Sequence, residues 1–206
     1  MALSPEVREA RQRAIVDAAH RLVRETGGAG FSMLQLAQAA GVSPATPYNL
    51  LGSKGEVLRR VVLDEFASFA ARLARLPDDG PLDRLLGAVD LIVVHYTSEP
   101  EFYRGLYAAM IGVEANLLRD AMSEEGRHLW GDLVRAAMEA GELAPLVEPM
   151  AFTDLLLRTV AATVEAWLAE HWDQVRFAAE MRRASHLLVL GLVGAERAQQ
   201  LKAELG

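Results

Sequence analysis

Residues 32–58 read SMLQLAQAAGVSPATPYNLLGSKGEVL, from Ser32 to Leu58, and hold three helix starts and one tight turn in 27 residues. Ser32 followed three positions later by Gln35 is a capping box: the hydroxyl accepts from the first turn of backbone, and the Gln side chain reaches back to the Ser32 N–H. A helix therefore starts at Met33. Leu36, Ala37 and Ala40 give it one apolar stripe, and Gly41 supplies the left-handed residue that ends it. Ser43 reads as a second N-cap, with Pro44 at the first helical position, where a missing N–H is not needed. This predicts a short helix over about Pro44–Leu51, broken by Gly52. Ser53 with Glu56 forms a further capping box and opens a long helix at Lys54.

Two short helices joined by a Gly turn and followed by a longer one have the layout of a helix-turn-helix. A recognition helix presents its N-terminal turn to the major groove of a duplex, so small and hydrogen-bonding residues belong there. Ser43, Pro44, Ala45, Thr46, Tyr48 and Asn49 meet that need. Asn49 in particular carries both a donor and an acceptor, the pair that matches an adenine edge.

These residues resemble the head of the tetracycline-repressor-like (TetR) family of bacterial transcriptional regulators. That head runs Thr/Ser, an aliphatic-Ala pair, Ala-Gly-Val-Ser, a Tyr, a Phe and a Ser-Lys before an apolar helix. Here the matching positions are Ser32, Leu36-Ala37, Ala40-Gly41-Val42-Ser43, Tyr48, Leu51 and Ser53-Lys54, and the likeness covers roughly residues 10–60. The resemblance implies an all-α fold, with an N-terminal three-helix head joined by a long helix to a helical ligand-binding and dimerisation domain. It further implies a homodimer on a near-palindromic double-stranded operator, acting most simply as a repressor that a small molecule releases. By the same resemblance Thr46, Tyr48 and Lys54 would clamp phosphates, Pro44, Ala45 and Asn49 would face base edges, and Ser32 would add a phosphate contact. Two positions depart from the pattern. Leu51 stands for the usual Phe, and Pro47 replaces an aliphatic residue, removing one backbone donor and disfavouring helical geometry at Thr46.

The net charge of −7 argues at first against a nucleic acid, yet it conceals an asymmetry. Residues 1–60 hold eight Lys/Arg against five acids, giving +3, which leaves 13 against 23, or −10, for the remainder. A basic head on an acidic body directs phosphate to one end. Only two lysines occur, Lys54 and Lys202, and the first stands at the resembling family's phosphate position. The absence of Cys gives neither a disulfide framework nor a thiolate zinc site. No signal-peptide pattern and no uncharged stretch long enough to span a bilayer is present, so no membrane association and a cytoplasmic location are expected.

Outside the motif every segment reads helical. The first helix is expected over Pro5–Thr26, capped by Ser4, with Ile15, Ala18, Ala19, Leu22 and Val23 buried. The long helix opened by Ser53 is expected to reach Leu76, about 35 Å at 1.5 Å per residue, before the break at Pro77-Asp78-Asp79-Gly80-Pro81. Further helices are expected over Leu82–Ser98, Pro100–Ile111, Asn116–Ala140, Met150–Glu170 and Gln174–Val193, followed by a polar tail to Gly206. This divides the chain into a DNA-binding domain, 1–53, and a ligand-binding and dimerisation domain, 54–206.

The last two long helices are apolar on more than one face. Phe152, Leu156, Thr159, Thr163 and Trp167 line up on the first, and Phe177, Met181, Ser185, Leu188 and Leu192 on the second. A small domain cannot bury two faces of one helix by itself, so this pair is expected to meet its copy in a second chain. For a small apolar or aromatic effector, the candidates are His95, Tyr96, Phe102, Tyr103, Tyr107, Met110, Met122 and Trp130, an aromatic and Met-rich set with a few polar groups. The same residues equally suit an ordinary core.

Catalysis is not expected. His20, His95, His128, His171 and His186 are scattered, and the chain has no HExxH, no GxSxG and no phosphate-cradling Gly loop. No cofactor and no metal are expected. Asp154, Arg158 and Glu165 read as an ion network at the dimer face. The alternative to a small-molecule-responsive repressor is a DNA-binding regulator controlled by a protein partner, or an architectural DNA-binding protein.

Overall fold

The computed structural model describes residues 4–109 and 115–205, and among them it contains ten α-helices and no strand. Two compact units partition the chain: residues up to Ser68 together with 99–123, and 69–98 together with 124 onward.

In the first unit, α1 (Pro5–Thr26) is capped by the Ser4 hydroxyl and closed by Gly27 in the left-handed region, φ 63°. Its stripe of Ile15, Val16, Ala18, Ala19 and Val23 is buried against α2 (Met33–Ala39) and α3 (Thr46–Leu51). Apolar burial of this kind, not helix propensity, is what stabilises helices as short as α2 and α3. The expected capping box is present in both directions: Gln35 N donates to Ser32 Oγ at 3.2 Å, and Ser32 N donates to Gln35 Oε1 at 2.7 Å. Gly41 takes the left-handed conformation, φ 66°, and Gly52 ends α3 with φ 87°. The N-terminal part of α4 (Lys54–Leu73) and all of α6 (Pro100–Ala109) complete this unit with the start of α7 (Ala115–Glu139).

The second unit is built from α5 (Pro81–Ser98), the rest of α7, α8 (Pro149–Glu170), α9 (Gln174–Val189) and α10 (Ala195–Glu204). Its core joins Leu85, Val89 and Ile92 of α5 to Val134 of α7, Leu156 and Trp167 of α8, and Phe177 and Met181 of α9. Asp173 caps α9 by accepting from Arg176 N at 2.8 Å, and His171 closes α8 at φ 54°.

Four boundaries differ from expectation. The short helix starts at Thr46 and not at Pro44, because a helix from Pro44 would need an N–H from Pro47 in its first hydrogen-bonded turn, and proline has none. Starting at Thr46 puts Pro47 second, where no donor is required, and Pro47 is buried there. Ser43 does not cap it: its hydroxyl pairs with that of Thr46 at 2.7 Å, while its carbonyl accepts from Thr46 N at 2.9 Å. α4 stops at Leu73, about 30 Å long at 1.5 Å per residue, and the chain tightens into i→i+3 bonds from Arg75 N to Arg72 O and Leu76 N to Leu73 O. α9 ends at Val189, before Gly191 and Gly194. The polar tail is a helix, α10, whose Leu201 is fully buried and whose Arg197 pairs with Asp83.

Candidate nucleic-acid interface and effector residues

α3 is held as a platform by side chains from α1. Gln12 Nε2 donates to the Leu50 carbonyl at 2.9 Å, satisfying one of the last-turn acceptors of α3. Arg21 does the same for α2, donating to the Ala39 carbonyl at 3.0 Å. Neither residue was singled out by the sequence. On this platform Ser43, Pro44, Ala45 and Asn49 are exposed, Thr46 is half-buried, and Tyr48 is 58% exposed. An aromatic phenol standing out of a small domain with its neighbours' hydrogen-bonding groups forms one polar edge. Such an edge offers donors and acceptors of both kinds without bulky charge.

Ser32 and Lys54, the other two expected phosphate contacts of the head, sit at the starts of α2 and α4. Ser32 is exposed, with its hydroxyl engaged by the Gln35 backbone. Lys54 is half-buried: its ammonium donates to the Ala29 carbonyl and lies 4.9 Å from the centre of the Phe31 ring. Ser53 Oγ accepts from Glu56 N at 3.2 Å, and the Glu56 carboxylate accepts from Arg59 at 3.0 Å.

The expected effector residues divide between the two units. In the first, Phe102 is buried and stacks on His20, centroids 5.5 Å apart, with the Arg24 guanidinium 5.1 Å from its centre. Tyr103, also buried, donates its hydroxyl to Glu65 at 2.5 Å. His20 lies 3.6 Å from both Asp64 and Glu65, while Arg24 pairs with Glu99, a bond that raises the Arg24 pKa above its ordinary value. Tyr107 and Met122 are half-buried in the same unit, and Met110 lies outside the described residues. In the second unit His95 and Trp130 are buried and Tyr96 is half-buried. There Phe69 meets His95 edge-on and Trp130 in a stack, and Tyr96 meets Trp167 edge-on at 6.2 Å. These residues are packed into the interiors of their own units, as core aromatics are.

The expected interface residues also divide. Phe152, Leu156, Trp167, Phe177, Met181 and Ser185 are buried inside the second unit, and Leu188 and Leu192 pack half-buried against the same core. They hold α8 to α9 and do not face outward. Thr159 and Thr163 lie on the outer side, lining an open hollow of about 550 Å³ with Ala162, Ala166, Ala184 and Leu187. Arg158, Glu180 and Arg183 also line it. Asp154 does not join a network with Arg158: it accepts a bidentate pair from Arg127, at 2.7 and 3.2 Å. Among the described residues no cluster of three or more His, Asp or Glu has metal-binding spacing, and no helix is long and apolar enough to cross a membrane.

Residues 15–61 match the family model described as bacterial regulatory proteins, tetR family. The HTH-type transcriptional regulator BetI of Rhizobium meliloti (strain 1021) is 36% identical over 69 residues. That stretch covers 34% of this chain and 30% of BetI, so the matched region spans about a third of that relative. Over nearly the whole chain the fold is similar to solved structures. RolR in complex with resorcinol superposes with a TM-score of 0.74 at 17% identity, covering 95% of this chain and 94% of RolR. The fatty acid degradation regulator FadR from Bacillus halodurans gives 0.67 at 17% identity, covering 92% and 97%. NalD, the secondary repressor of the MexAB-OprM efflux pump in Pseudomonas aeruginosa, gives 0.63 at 21%, covering 91% and 99%. At such identities the likeness is one of fold.

Proposed function

We propose, from the match of residues 15–61 to the tetR family of bacterial regulatory proteins, that the chain is a member of that family and a homodimeric repressor of a near-palindromic operator. The observation that carries this reading is the exposed polar edge from Ser43 to Asn49, on a helix one of whose last-turn carbonyls, that of Leu50, is fixed by Gln12. Direct readout needs such fixed geometry, because a bidentate contact to a base edge is lost with small misplacements. In this reading Asn49, Pro44 and Ala45 meet base edges, and Thr46, Tyr48, Lys54, Ser32 and Ser43 meet the backbone. The functional division is a DNA-binding domain in 1–53 and a ligand-binding and dimerisation domain in 54–206. A chromosomal partner puts the protein in the cytoplasm.

Dimerisation belongs to the outer face of α8 and α9, where Thr159, Ala162, Thr163 and Ala166 face Ala184 and Leu187 around the open hollow. Small side chains there let a second pair of helices approach closely, and Arg158, Glu180 and Arg183 supply both signs of charge for a two-fold partner. The effector is a small aromatic or apolar molecule. The fold neighbour RolR was solved with resorcinol bound, which is a fact about RolR.

The test is enrichment of duplexes from a random library by the purified chain, followed by footprinting. The reading expects one inverted-repeat consensus with half-sites about 10 base pairs apart or a multiple of that. A library that returns no consensus, or a single asymmetric site, contradicts it.

A further inference from the structure

The seat of α6 on the head is made of backbone. A Cβ placed on Gly105 would fall 2.6 Å from Gly28 N, 2.7 Å from Gly27 C and 2.8 Å from Gly28 Cα, distances that real side chains do not tolerate. All three atoms are backbone, so none can swing away. The turn they belong to is braced by the exposed Thr26, whose hydroxyl lies 2.7 Å from both the Leu22 and Gly28 carbonyls and shares its one proton between them. One residue on, the Ala29 carbonyl accepts from Lys54. The same helix is locked laterally by Tyr103 to Glu65 at 2.5 Å and by Arg24 to Glu99 just before its start.

We propose that Gly105 is a positioning residue for DNA binding, setting the Lys54 ammonium through the Gly27-Gly28-Ala29 turn, so that the seat of α6 fixes how this cation is presented to phosphate. The inference rests on the reading of Lys54 as a phosphate contact. Three steps connect the two residues, a backbone contact, a peptide bond and a hydrogen bond: Gly105 against Gly28, Gly28 to Ala29, Ala29 carbonyl to Lys54. Because the contact at Gly105 is backbone on backbone, a shift of α6 translates the turn and leaves no side chain to absorb it. Because the Lys54 ammonium lies over Phe31 and on one carbonyl, a shift of that carbonyl changes where the charge sits.

The test is a double-mutant cycle on duplex affinity, using the duplex enriched from the random library, with Gly105→Ala, Lys54→Ala and the pair. Gly105→Ala is expected to weaken binding by at least about fivefold, the low end of site-to-site couplings. It should also lower the slope of log K against log salt by about 0.9, one phosphate contact. In the Lys54→Ala background the same substitution is expected to change affinity less than about twofold, since members of one coupled unit are not additive. Circular dichroism and thermal unfolding show whether Gly105→Ala folds. If it does not, Thr26→Val, which loosens the turn without adding bulk against α6, takes its place in the cycle with the same expectations. A folded variant with wild-type affinity and slope overturns the inference, as do losses that multiply in the double variant. Wild-type protein with no salt-dependent duplex binding defeats the DNA-binding reading itself, a different result from either.

Discussion

The indole of Trp167 lies flat on the ring of Phe177, centroids 4.8 Å apart and planes 11° from parallel, pinning α8 to α9 from the inside. Both residues are almost wholly buried. The stack therefore belongs to the core, and removing it leaves a cavity. Trp167→Ala is expected to destabilise the second unit by about 3 to 5 kcal/mol, read as a fall in the urea midpoint. A loss within error of zero would place the indole outside the core.

The outward face behaves differently. Leu187 is 56% exposed and lines the hollow between α8 and α9, whereas its neighbour Leu188 packs against the core. Leu187→Glu should split the dimer in analytical ultracentrifugation while leaving the monomer's melting temperature close to wild type, because the carboxylate is desolvated only in the complex. Leu188→Glu should lower the melting temperature of the monomer as well. A Leu187→Glu protein that sediments as an intact dimer would remove this face from the interface.

Acid should weaken the second unit through His186. The ring is 4% exposed, and burial pushes its pKa below the ordinary value of 6.5. Glu204, 3.8 Å from Nε2, and Asp90 pull the other way, and Arg182 and Arg197 add to the lowering. An unfolded chain binds this proton first as pH falls, so stability declines from about 6.5 down to the folded-state pKa and levels off below it. His186→Gln should flatten that part of the stability profile relative to wild type. Superimposable slopes for the two proteins between about pH 7 and about pH 5, the window of an unperturbed imidazole, would contradict the assignment.

Asn49 is exposed on α3 and carries a donor and an acceptor on one amide. Asn49→Ala should cost about 1 to 3 kcal/mol on the enriched duplex and far less on random DNA, as loss of a base contact does. Fluorescence anisotropy on the two duplexes reads both numbers. Equal losses would reassign Asn49 to the sugar-phosphate backbone.

Local chemistry was the legible part of the sequence. The Ser32/Gln35 box, the left-handed Gly41 and the break at Gly52 each follow from one or two side chains, and each is where it was expected. The start of α3 was misread because Ser43-Pro44 is a good cap taken alone, while the decisive constraint lies three residues later in the missing N–H of Pro47. α10 was overlooked because only Leu201 marks its buried side, yet its run of Ala, Glu, Arg, Gln and Lys is strong helix-forming composition and was a usable signal. Periodicity showed that α8 is apolar on two faces, but which face meets α9 and which is left outward depends on neighbours far along the chain. So Trp167 and Phe177, expected at the interface with a second chain, stack on each other inside the second unit. Gly105 has no sequence signal at all: its meaning comes from backbone 77 positions earlier, at Gly28.

The central claim is that the Ser43–Asn49 edge reads duplex DNA, and its most direct test is the affinity of the full chain for the enriched duplex and for a random duplex across a salt series. The account predicts that log K falls linearly with log salt for both, by about 0.9 per phosphate contacted. It also predicts that the enriched duplex binds at least about 10³-fold tighter at physiological salt. Equal affinity for the two duplexes, or no salt-dependent binding to either, would contradict it.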